Sequence, residues 1–187
     1  FGSCYNLSKI EGIEHIKEIP EYCFCECYNL KEIKIPQSVT KLGKECFRNC
    51  SKLTKIELNG NITEIPEGMF SVCKKLKNIK LSPCLTKLHD ICFSHCGIEE
   101  IEIPSTMKEF VGFANSTVEK VVITDASNIT IKDLSTMTGL KEIVIGAATV
   151  KFQSISSKTT VESVTSNVEG AVITFAADCF KSAASLK

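Results

Sequence analysis

Apolar residues recur along this chain at a fixed step of 23 residues. Phe1, Phe24, Phe47, Phe70 and Phe93 are evenly spaced, and so are Cys4, Cys27, Cys50, Cys73 and Cys96. Leu7, Leu30, Leu53 and Leu76 keep the step, with Ile98 arriving one residue early. Val39, Ile62 and Leu85 align, as do Leu42, Ile65 and Leu88. Cys46, Met69 and Cys92 precede the next Phe. Self-similarity at this period predicts a solenoid, in which each repeat packs mainly on its neighbours.

Within a repeat, L-x-x-I-x-I ends in alternation of period two, which predicts a short strand with its aliphatic residues on one side. Stacking the repeats sets these strands side by side as a parallel sheet. The segment holding Val39 and Leu42 predicts a return wall, extended or 3₁₀-like. The four-residue spacing of Cys46 and Cys50 suits one helical turn facing inward. Gly43 and Gly68 are expected at bends between walls.

The pattern is regular over 1–110 and degenerate over 111–187. Val118, Val121 and Ile123 repeat the strand spacing, as do Leu140, Ile143 and Ile145. Val161 and Val164 keep two positions, with Ser166 in the third. Val172, Phe175, Cys179, Phe180 and Leu186 restore the spacing. The expectation is one solenoid domain over 1–187, cut from a longer protein, because neither end carries the polar cap that closes a solenoid.

The motif C-F-x-x-C-x-x-L-x-x-I-x-I-P-x-x-V-x-x-L resembles the BspA-like branch of the leucine-rich repeats, which commonly reads A-F-x-x-C-x-x-L-x-x-I-x-I-P-x-x-V-x-x-I-G. The resemblance is specific from Phe1 to about Pro104 and weaker beyond. This chain departs by carrying Cys before the Phe, and the repeats after Val118 lack the Phe and Cys marks. The resemblance implies a right-handed, curved solenoid with a concave parallel sheet and short extended, 3₁₀ or helical-turn segments on the other walls. It also implies roles in surface adhesion and ligand recognition, and it brings no catalytic residues.

Eleven cysteines raise the question of disulfides. Equivalent residues on stacked parallel strands lie about 4.8 Å apart with parallel side chains, beyond the Cβ separation of a disulfide. Cys27, Cys50, Cys73 and Cys96 therefore read as a buried column of thiols. Cys25 and Cys84 fall out of register and are expected at the surface. Cys23, Cys25, Cys27, His89, Cys92, His95 and Cys96 have ligand-like spacing, but the repeat points them in different directions. No metal site or cofactor is expected.

The residues flanking the first Ile of each strand point away from the core. One column reads Lys9, Glu32, Lys55, Asn78, Glu100, Lys120, Glu142, Ser163; the other reads Glu11, Lys34, Glu57, Lys80, Glu102, Val122, Val144, Thr165. Alternating signs make a self-neutralising ladder, which is a poor electrostatic funnel. At Val122, Val144 and Thr165 the second column loses its charges. With Lys120 and Glu142 beside them, these residues form the candidate site for a partner.

The chain balances 22 basic against 22 acidic residues and has no Trp. No basic stripe with interleaved aromatics is legible along it, so nucleic acid is not an expected partner. Nor is direct membrane insertion by this segment, since no long apolar run occurs. Five N-x-S/T sequons, at Asn6, Asn49, Asn61, Asn115 and Asn128, are candidate glycosylation sites. No G-x-S-x-G, phosphate loop or H-E-x-x-H occurs. The expected function is therefore non-enzymatic: an adhesion or protein-binding module of a cell-surface or secreted protein, recognising a host, matrix or cell-surface protein or a glycan. The alternative is an intracellular, cytoplasmic scaffold of the same fold, favoured by reduced thiols.

Overall fold

In a computed structural model, the described residues are 1–58, 61–111, 113–124, 128–132, 134, 137–146, 149–153 and 161–175, with only the backbone of the last. Cys179, Phe180 and Leu186, expected to complete a final repeat, lie outside them.

The expected strands form from the second coil on, two to a coil; in the first coil Lys9, Ile10 and Glu11 form no strand and only the return-wall strand is present. On a front wall lie β2 (Glu32–Lys34), β4 (Lys55–Glu57), β6 (Asn78–Lys80), β8 (Glu100–Ile103), β10 (Lys120–Thr124), β12 (Glu142–Gly146) and β14 (Ser163–Ser166). On the return wall lie β1 (Glu18–Ile19), β3 (Lys41–Leu42), β5 (Glu64–Ile65), β7 (Lys87–Leu88), β9 (Glu109–Phe110), β11 (Ile129–Ile131), β13 (Thr149–Phe152) and β15 (Val172–Phe175). Every pairing is parallel and joins a strand to its equivalent in the next coil. The front wall comprises the sheets β2-β4-β6 and β8-β10-β12-β14, and the return wall β1-β3, β5-β7 and β9-β11-β13-β15. Its extended segments are thus strands in their own right, with β-branched and aliphatic residues facing inward as a half-buried strand requires.

The third wall differs from the helical turn read from the cysteine spacing; among the described residues there is no helix. The N–H groups of Tyr22, Phe24 and Glu26 donate to the carbonyls of Lys44, Cys46 and Arg48 in the next coil. Between them, the N–H groups of Cys23, Cys25 and Cys27 fold back onto the carbonyls of Pro20, Tyr22 and Phe24. The segment is therefore a run of overlapping β-turns that also forms a ladder between coils. Such turns need a left-handed residue. One such column reads Tyr22, Glu45, Gly68, Ile91, with φ of 56°, 52°, 61° and 51°, and another reads Glu26, Asn49, Val72, His95, with φ of 60°, 57°, 65° and 56°. Gly68 is at the bend expected of it. Gly43 is needed for another reason: a Cβ there would lie 2.3 Å from the backbone nitrogen of Glu21, so it permits close approach of two coils.

The core is a set of columns. Phe47 and Leu53 are fully buried. The rings of Phe1, Phe24, Phe47, Phe70, Phe93 and Phe113 stack in sequence, with centroids 5.7, 5.4, 6.0, 5.5 and 4.9 Å apart. The ten described cysteines are free thiols. The Sγ atoms of Cys50, Cys73 and Cys96 donate to the carbonyls of Phe24, Phe47 and Phe70, at 3.2, 3.1 and 2.9 Å. Cysteine thus fills a small apolar hole while giving a buried carbonyl a weak donor. Cys84 is exposed as expected, but Cys25 is only half-buried, because it packs against Arg48 and Glu45 of the next coil.

Candidate recognition face

The front wall holds its expected register through the degenerate repeats. Lys120 sits beside Glu142 and Val122 beside Val144, with Glu102 and Thr165 on either side of the valine pair. Val122 and Val144 are half-buried, while their neighbours Val121, Ile123, Ile143 and Ile145 face the core. Lys120 and Glu142 close an ion pair at 3.2 Å. Thr165 is exposed. The five candidate residues therefore share one face, and the valines lie about one strand spacing apart.

Toward the N-terminus the same face is ionic. Lys55 bonds Glu57 along its own strand at 2.6 Å, and Lys34 approaches Glu57 across the ladder at 3.9 Å. The hydrogen bond from Lys55 holds the Glu57 carboxyl below the usual carboxylate range. These pairs are solvent-exposed and contribute little net stability, but covering them would strip water from every charge.

The structure adds a feature that the columns did not reveal. No backbone ladder joins β6 to β8 among the described residues. A cleft of about 570 Å³ opens there, lined by Ile79, Lys80, Leu81, Glu102, Pro104 and Thr124 among others. Its signal was the repeat that runs one residue short before Ile98. Gly97 makes that shortening possible, since a Cβ there would lie 2.4 Å from the carbonyl oxygen of Lys74.

Two of the histidines have close polar neighbours. His89 meets Glu64 at 2.9 Å. Nδ1 of His95 lies 2.8 Å from the Ser94 hydroxyl, but Ser94 is buried and out of a substrate's reach. Among the described residues no group of His, Cys, Asp or Glu could hold a metal ion, and no helix is long and apolar enough to cross a membrane. Of the sequon asparagines, Asn6, Asn61, Asn115 and Asn128 are exposed and Asn49 is half-buried.

Parallel coils with in-register columns of Leu, Ile, Phe and Cys define the chain as a leucine-rich-repeat β-solenoid. It belongs to the BspA type leucine-rich repeat region family, whose model matches residues 1–112 in 6 copies. A leucine-rich repeat protein from Bacteroides ovatus ATCC 8483 is similar over 100% of this chain and 61% of its own length, with 23% identity and a TM-score of 0.60. This chain thus spans about three fifths of that protein, and the likeness is one of fold. One from Eubacterium ventriosum ATCC 27560 is 16% identical over 79% of this chain and 60% of its own, with a TM-score of 0.47. A leucine rich cell surface protein from Faecalibacterium prausnitzii A2-165 is 15% identical over 92% of this chain and 80% of its own, with a TM-score of 0.37. No protein of curated function matches the chain.

Proposed function

We propose that residues 1–187 act as one non-enzymatic, protein-binding unit within a longer cell-surface or secreted protein, and that the partner docks on the front wall around Val122 and Val144. The observation that carries this is the valine pair itself. It is half-buried and in register, in a column that is charged at every position from Glu11 to Glu102. Covering it gains about 25 cal/mol per Å² of apolar surface and desolvates fewer charges than docking on the ionic half. The neighbouring cleft between β6 and β8 offers a partner side chain a recess on the same face. Membership of the family supports recognition rather than catalysis. The exposed Asn6, Asn61, Asn115 and Asn128, and the half-buried Asn49, are the proposed glycan acceptors of a secreted parent.

The test is binding of the labelled domain to intact host cells, before and after the cells are shaved with protease. Val122→Lys with Val144→Glu extends the alternation from Glu102 and should preserve the fold. The expected result is protease-sensitive binding that the double variant loses. Equal binding by a normally folded double variant overturns the docking face, and protease-insensitive binding overturns a protein partner. A second reading, an intracellular scaffold, is favoured by the free thiols, since disulfides are rare in reducing compartments. Recovery of glycosylated Asn from the parent in its native source would exclude it.

A further inference from the structure

The front wall cancels its charges locally, but one corner of the solenoid does not. The corner where the turn wall meets the front wall is built identically in four successive coils. In each, the N–H of the leucine donates to the carbonyl of the column cysteine, as in Leu7 to Cys4, Leu30 to Cys27, Leu53 to Cys50 and Leu76 to Cys73. The outward positions of this corner fall in three columns. They read Tyr5, Tyr28, Ser51, Lys74; then Asn6, Asn29, Lys52, Lys75; then Ser8, Lys31, Thr54, Lys77. Five of these twelve residues are lysine and none is acidic, in a chain whose formal net charge is zero.

Lys31, Lys52, Lys74, Lys75 and Lys77 are all exposed. Among the described residues only Lys77 has an ion pair, with Glu99 at 2.7 Å, at the end of the strip. The other end is aromatic and amide. Tyr5 and Tyr28 stack at 5.0 Å. The Asn29 amide donates to Asn6 Oδ1 at 3.4 Å, and Lys52 donates to Asn29 Oδ1 at 2.6 Å. The strip spans four coils, roughly 14 Å at the spacing of stacked strands. Residues 23 apart in the chain become neighbours here, which joins Lys31 and Lys52 to the local cluster of Lys74, Lys75 and Lys77.

We propose that this corner binds an anionic polysaccharide, its sulfate or carboxylate groups on Lys52, Lys74 and Lys75 and its hydroxyls on Asn29 and the Tyr5 hydroxyl. The charge complementarity is that of a short, one-signed strip to a linear polyanion. A glycan fits better than a nucleic acid. The two tyrosines face each other, so their shared faces are closed to the bases that single-stranded binders stack on aromatic rings. What the strip leaves open is ammonium, amide and hydroxyl, the groups that bind a hydroxyl-rich anion.

Titration calorimetry of the folded domain with a sulfated heparin octasaccharide at low salt tests this. Binding is expected, weakening steeply as salt is raised. Lys52→Glu with Lys75→Glu should weaken it at least about tenfold. The control, Lys34→Glu with Lys80→Glu on the front wall, changes net charge equally and should shift affinity less than about threefold. Circular dichroism confirms that both variants are folded. Absence of binding by the unmodified domain overturns the proposal. Equal weakening by both variants also overturns it, as an effect of net charge. Tighter binding to single-stranded oligodeoxythymidine than to the octasaccharide assigns the strip to nucleic acid and likewise overturns it.

Discussion

Removing one ring from the stacked phenylalanines should cost this fold a large part of its stability, and the cost should depend on the ring's place in the stack. Phe47 is fully buried, between Phe24 at 5.4 Å and Phe70 at 6.0 Å. Phe47→Ala loses the transfer free energy of the ring and leaves a cavity that the adjacent coils cannot close without breaking their own ladders. Together these cost about 3–5 kcal/mol. Each ring pair within stacking range adds about 0.5–1.5 kcal/mol beyond burial, so the expected loss lies near the top of that range. Phe1 is 75% exposed and, among the described residues, stacks on one ring, at 5.7 Å, and Phe1→Ala should cost less than about 1 kcal/mol. Phe47→Leu retains most of the apolar volume and should fall between them. The assay is urea unfolding followed by far-ultraviolet circular dichroism, since the chain has no Trp. Stability changes are read from midpoint shifts at unchanged slope. A loss below about 1.5 kcal/mol for Phe47→Ala, or equal losses at Phe47 and Phe1, would refute a stack that shares its load between neighbouring coils.

Thiol labelling of the native protein should proceed at Cys84 first and at Cys4, Cys23 and Cys25 more slowly. Cys46, Cys50, Cys73, Cys92 and Cys96 should label only on unfolding, because burial removes access and disfavours the thiolate, pushing Cys96 up to about 12; peptide mapping after timed quenching reads the order, and early labelling of Cys73 would contradict it. Leu53→Ala, at a fully buried position, should cost about 2–5 kcal/mol in the same urea assay. Gly43→Ala should destabilise by more than about 1 kcal/mol, because the new Cβ meets the backbone of Glu21, which cannot rotate away as a side chain can; a neutral result would mean the coils separate there easily.

The front wall was legible in the sequence even where repeats decay, because its signal is local. Val121 and Ile123 are two residues apart and must face the same way, which fixes Val122 on the other side whatever happens to the rest of the coil. The return wall was harder at its end. Val172 aligns with the fully buried Val39 but is 56% exposed, while Ile173 packs against the core. Phe113 continues the ring stack but was not placed, because it follows Phe93 by fewer residues than the regular step. The turn wall was misread as helical because left-handed turns usually announce themselves with glycine. Here Gly68 is the one glycine in the two columns, and Val72 and Ile91 adopt the same backbone without it. The cleft beside β8 arises from one missing residue, a length effect that residue types do not record.

That missing residue also shapes how the array carries a load. Between the coil of β6 and β7 and the coil of β8 and β9, neither the front nor the return ladder is closed among the described residues. The turn wall stays laced, with the N–H groups of Gly68, Phe70 and Val72 bonded to the carbonyls of Asp90, Cys92 and Ser94 and Phe70 stacked on Phe93 at 5.5 Å. The strands of the other two walls still lie against each other there without a backbone ladder, with Lys77 on Glu99 at 2.7 Å and the Thr106 hydroxyl donating to the carbonyl of Pro83 at 3.1 Å. At this step the load therefore passes through turn-wall hydrogen bonds and side chains rather than through strand ladders. The spacing of the two coils there sets the mouth of the cleft at Lys80 and Glu102.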